Sequence, residues 1–200
     1  MGEKHVFQPL TNEDKLTVAL YRLGIVLSTI IMSVLAYILA ALSLSGTSRI
    51  GASTDILAYI LYVSVGISVF FIHLYIGRLK LYLKYLYYIS LGCLVALLYI
   101  GKGSLSSALA HDPQSALLLL PLSGCLGFVT AKEAFCFKLI EGYLLAMIMP
   151  VYLLLISGNL LSGRWASYGL ILIAGLLVIF TLRKVFMPVA YDIGDKSAYQ

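Results

Sequence analysis

Six long apolar stretches divide this 200-residue chain, and its positive charges are unevenly shared among the gaps between them. Eleven of the fourteen Lys and Arg residues fall in every second gap: Lys4, Lys15, Arg22, Arg78, Lys80, Lys84, Lys132, Lys138, Arg183, Lys184 and Lys196. Only Arg49, Lys102 and Arg164 fall in the others. Positive loops resist translocation, so the partition predicts a membrane topology with both termini on the cytoplasmic or stromal side. Unpaired backbone groups are too costly in hydrocarbon for anything but helices or closed barrels, and stretches of about 20 apolar residues suit helices. The expected fold class is all-α, a polytopic membrane protein built as a bundle of six transmembrane helices.

The spans read as Leu23–Leu44, Ile56–Ile76, Tyr85–Ile100, Ser115–Ala131, Tyr143–Leu161 and Trp165–Leu182. Three parts follow: a polar segment over 1–22 with an interfacial helix start, the transmembrane domain over 23–182, and a polar tail over 183–200. Thr11 or Asn12 is suited to cap a helix, with Glu13 and Asp14 favoured in its first turn by the helix dipole. The first residues resemble neither a secretory signal nor a transit peptide, so span one is expected to stay in the mature protein. Hydrophobic residues make up 61% of the chain and charged ones 12%, about half the charge of a soluble domain, which leaves no separate soluble unit. A net charge of +5 arranged beside apolar spans suits lipid head groups and gives no reason to expect nucleic acid.

Charge inside hydrocarbon is costly and tends to mark function, yet four of the six spans carry none away from their ends. That argues against pumps, ion channels and ion-coupled carriers. His73, about one turn from the end of span two, is the exception. It reads as a structural residue bonding a neighbouring helix, as an axial ligand to chlorophyll or another pigment, or as a proton-handling group. Two-His haem ligation would need a second histidine, and His5 and His111 belong to a tail and a loop. Cys93, Cys125 and Cys136 read as small apolar residues, and no CxxC or HExxH metal spacing occurs. No nucleophile and base can be paired, so an enzyme is the least supported class.

Charged, patterned elements gather on one side. Residues 132–141 mix charge with Phe135, Leu139 and Ile140, and read as an interfacial amphipathic turn in which Lys138 and Glu141 are spaced i to i+3. The sharper reading is a docking or head-group site near Arg78, with Lys132 paired to Glu133 or Glu141. Pro188 should end span six and start a tail, whose Asp192 and Asp195 would dock on the bundle by pairing with Lys132 or Arg78. Pro121, Ser123, Gly124 and Gly127 predict a kinked fourth span approached closely by a neighbour, and the fifth span holds Pro150. Gly24 with Ser28, and Ser64 with Ser68, fit the small-xxx-small pattern of close helix contacts.

The strings Tyr21-Arg22-Leu23-Gly24, Ile72-His73-Leu74-Tyr75, Lys132-Glu133-Ala134-Phe135-Cys136-Phe137, Arg183-Lys184 and Asp192-Ile193-Gly194-Asp195-Lys196-Ser197 resemble an uncharacterised integral-membrane family of cyanobacteria and plastids, known only as a domain of unknown function. The resemblance implies a photosynthetic organism and a thylakoid or plasma membrane, and it carries no assigned activity. Ala198 and Tyr199 depart from the bulkier apolar pair usual at that point. Two function classes follow. One is a non-enzymatic accessory subunit or assembly factor of a photosynthetic membrane complex, in contact with the lipid bilayer and partner proteins. The other is a small-molecule or lipid transporter using the kinked fourth helix.

Overall fold

Thr11 starts the first helix by a reciprocal cap: its hydroxyl accepts from the Asp14 backbone N–H at 3.2 Å, and its own N–H donates to Asp14 Oδ2 at 2.9 Å. From there α1 (Asn12–Ser45) runs unbroken through the first apolar stretch. At 1.5 Å per residue it is about 51 Å long, well beyond the hydrocarbon thickness. The structure, a computed structural model, describes residues 11–45, 52–74, 76–161 and 163–193. Lys4, His5, Arg49, Tyr75, Asp195, Lys196 and Ser197 of the sequence reading lie outside them.

The chain continues through α2 (Ala52–Phe71), α3 (Gly77–Ile100), a short α4 (Leu105–His111) and a 3-10 segment (Pro113–Leu119) that leads into α5 (Leu120–Phe137). It ends with α6 (Ile140–Ser157), α7 (Arg164–Val185) and a single turn, α8 (Ala190–Ile193). Six helical segments among the described residues are long and apolar enough to cross a membrane, the fourth formed by the 3-10 segment with α5. α1 packs against α2 and α7, α5 against α3 and α6, and α6 against α7. The two described ends of the chain meet, because α8 packs on the start of α1. This is the charged end of the bundle; the α3–α4 and α6–α7 connections mark the opposite end.

The small residues of α1 and α2 face each other as expected. A Cβ on Gly24 would meet Ser64 O at 2.7 Å and Ser68 N at 2.8 Å, so only glycine lets the two backbones approach this closely. Ser28 and Ser64 share a hydrogen bond of 2.8 Å across the same contact.

Three local expectations are corrected. His73 is not in a helix: α2 ends at Phe71, and Ile72, His73 and Leu74 lie in the connection to α3. Ile72 is fully buried there, so an apolar turn in the core mimics apolar helix in the sequence. Residues 132–141 are not one amphipathic turn, because Lys138 takes a left-handed conformation (φ 55°, ψ 42°) that ends α5. Glu141 therefore lies in the first turn of α6, on a different helix from the end of α5 that Lys138 closes. Finally, Pro121 sits in the first turn of α5, where its missing N–H is harmless; the break lies in the change from 3-10 to α geometry. The close approach does occur, with Gly127 against the backbone of Ala146 in α6.

Candidate functional site: an ionic cluster and an apolar cavity

Glu133 is completely buried on α5, and its carboxylate collects partners from three helices. Oε1 accepts from the Tyr21 hydroxyl of α1 at 2.7 Å and from Lys132 Nζ at 2.7 Å. Oε2 pairs with Lys184 in the last turn of α7. Lys184, itself fully buried, also pairs with Asp192 Oδ1 of α8 and lies 4.2 Å from the centre of the Phe137 ring. Asp192 Oδ2 accepts from Arg22 Nε of α1 at 2.7 Å. The remaining Arg22 donors reach the carbonyls of Val185, Met187 and Pro188 at 3.0, 2.7 and 3.2 Å, which satisfies backbone acceptors that the end of α7 leaves open. One chain of charge thus ties α1, α5, α7 and α8 together. Beside it, Arg183 holds both oxygens of Glu141 at 2.8 and 2.9 Å and joins α7 to α6.

The cluster sets three cations against two carboxylates, and every carboxylate oxygen in it has a charged or hydroxyl donor. Such an arrangement ties the helices together at one end of the bundle, with the exposed Cys136 thiol beside it. Lys132 pairs with Glu133, one of its two expected partners, whereas Glu141 pairs with Arg183. Asp192 docks through Arg22 and Lys184, not through Lys132 or Arg78; Arg78 is exposed and joins none of these pairs. Tyr21, Arg22, Arg183 and Lys184 were missed as site residues. Their sequence signal was their position at span ends, which identifies topology but not partnership.

His73 stands beside the cluster. Its Nε2 is 3.2 Å from the Thr17 hydroxyl of α1, and its Nδ1 is buried without a hydrogen-bond partner among the described residues. Burial, reinforced by the Lys80 and Lys132 charges and only partly offset by Asp192 and Asp14, holds its pKa below the ordinary imidazole value.

Toward the opposite end, the helices separate around a cavity of about 510 Å³. It reaches from Asn159 and Gly163 in the α6–α7 connection down to Ser123, Met149 and Ile173 in the bundle interior. The walls are almost wholly apolar, and small residues on three sides, Ala58, Ala116 and Ala166, leave the space open. Its polar lining includes Asp55, Ser106 and Ser123, whereas Gly124 and His73 do not border it. The volume falls in the range of small-molecule pockets, which span about 300–1,000 Å³.

Comparison with known proteins supports the same architecture. An uncharacterized protein of Haemophilus influenzae is 28% identical over 208 aligned residues, covering 100% of this chain and 99% of its own. No solved structure matches the chain. Residues 67–200, which hold α3 to α8 and both carboxylates of the ionic cluster, match the family described as uncharacterized integral membrane protein (DUF2301), and the chain belongs to that family.

Proposed function

We propose that this integral membrane protein binds a small, predominantly apolar molecule in its cavity and carries it across or out of the bilayer. The carrying observation is the asymmetry of the bundle: a ligand-sized apolar space lies toward one end, and a buried ionic cluster closes the other. A carrier needs both features, a site reached from one face and a barrier that can be remade on the other. The helices that wall the site also have their regular backbone interrupted, α5 by its 3-10 lead-in and α6 by Pro150. Interruptions of this kind supply places where packed helices bend.

Binding of the neutral fluorophore N-phenyl-1-naphthylamine to protein in lipid nanodiscs tests the reading. Saturable binding above that of protein-free nanodiscs is expected. Ala116→Trp, which fills the cavity, should weaken it by about tenfold, a loss of about 1.4 kcal/mol. Binding that does not saturate, or that the tryptophan leaves unchanged, would contradict the proposal.

A second reading, an accessory subunit of a membrane complex in a thylakoid or plasma membrane, draws on the charged end, where Arg78, Lys138 and Phe135 stay exposed beside the cluster. Purification in mild detergent should then bring down a stoichiometric partner or a pigment. A colourless, monodisperse particle of the protein alone counts against it, and the Haemophilus relative favours a role not confined to photosynthetic membranes.

A further inference from the structure

Four carboxylates are buried among the described residues, and three of them are matched by cations. Glu133 has Lys132 and Lys184, Asp192 has Arg22 and Lys184, and Glu141 has Arg183. Asp55 is the exception. It is 8% exposed, it borders the apolar cavity, and among the described residues it has no ion pair. Its donors are all neutral: Ser104 Oγ to Oδ2 and the Ser106 backbone N–H to Oδ1, each at 2.7 Å, with the Ser106 hydroxyl and the Leu105 backbone N–H beside them.

Those donors hold the carboxylate in place and favour its charged form, but they do not cancel its charge. An unbalanced negative charge beside an apolar space is unfavourable by itself, and it becomes favourable when a cation with an apolar body fills that space. Around most of the cavity, Leu35, Leu39, Leu109 and Leu153 offer apolar contact suited to the body of such a ligand.

We propose that the cavity ligand is a lipophilic cation, an amine or quaternary onium with a bulky apolar body, and that Asp55 is its charge-recognising residue. This rests on the reading of the cavity as a binding site and names the class of its occupant. Asp55 also tethers the start of α4 through Ser104 and Ser106, and this tether fixes the carboxylate at the cavity wall.

The test uses three probes of one shape and different charge, tetraphenylphosphonium, tetraphenylmethane and tetraphenylborate, on the full chain in nanodiscs of uncharged lipid. The wild-type protein should bind the phosphonium about tenfold or more tightly than the neutral probe, and the borate most weakly. Asp55→Asn, checked for folding by its thermal transition, should bring the phosphonium to within about twofold of the neutral probe and leave the neutral affinity unchanged. Equal affinity for cation and neutral probe in the wild-type protein overturns the assignment while leaving the cavity reading intact. So does a cation preference that survives Asp55→Asn. Saturable binding by none of the three overturns both. The wild-type series decides the matter even if the variant fails to fold.

Discussion

Lys184, in the last turn of α7, and Glu133, on α5, form an ion pair in which neither side chain is exposed to solvent. Two opposite charges taken out of water are kept there only by each other and by the Tyr21 hydroxyl, Lys132 and Asp192. Removing one member strands the others, and breaking a buried pair in this way costs about 3–5 kcal/mol. Lys184→Met should therefore lower the thermal transition in detergent sharply. The double variant Lys184→Met with Glu133→Gln should be less damaged than Lys184→Met alone. A single substitution without effect would mean the cluster is not formed.

Arg22 spends its donors on Asp192 and on the carbonyls of Val185, Met187 and Pro188. Lysine has no planar fork and cannot reproduce this set. Arg22→Lys should raise hydrogen exchange over 186–193 almost as much as Arg22→Gln, with little change in α3. Full rescue by lysine would show that only the charge matters.

His73 is held below its ordinary pKa, so the folded protein resists protonation that the unfolded chain accepts near pH 6.5. A depressed folded value gives stability that is complete above the unfolded pKa and lost as pH falls toward the folded one. Lowering the pH from about 7.5 to about 5.5 should lower the thermal transition, and His73→Gln should shrink that loss. An equal drop in both proteins would assign the effect to other groups.

The α1–α2 contact allows no side chain at position 24. Gly24→Ala drives a methyl into the backbone of Ser64 and Ser68 and should destabilise the bundle by about 1–3 kcal/mol. Gly175→Ala is the control, since a Cβ there meets nothing within 4 Å. Thermal unfolding of the two variants should differ clearly; equal behaviour would argue against the close approach.

The sequence disclosed the helical bundle and the Gly24 to Ser68 seam, because hydropathy and small-residue spacing are local signals. Lys132 with Glu133 was visible for the same reason, the two being neighbours in the chain. The partnerships of Glu133 with Lys184, of Asp192 with Arg22 and of Glu141 with Arg183 span 42 to 170 residues and arise only when helices pack. His73 was placed in a helix because a buried apolar reversal has the composition of a span. Asp55 carried no signal of a site, since nothing in its neighbourhood along the chain announces a cavity formed by six other elements.

In the proposed carrier, the cavity is reached from one face while the ionic cluster closes the other. The most direct measurement of this is thiol labelling of Ser123→Cys, with Cys93, Cys125 and Cys136 changed to Ser, in sealed vesicles of known orientation. Reaction is expected with a small maleimide added to the face that bears the α6–α7 connection, slowed when the cavity is filled by Ala116→Trp, and no reaction from the face that bears Lys184. Protection of Cys at 123 from both faces, or equal reaction from each, would contradict it.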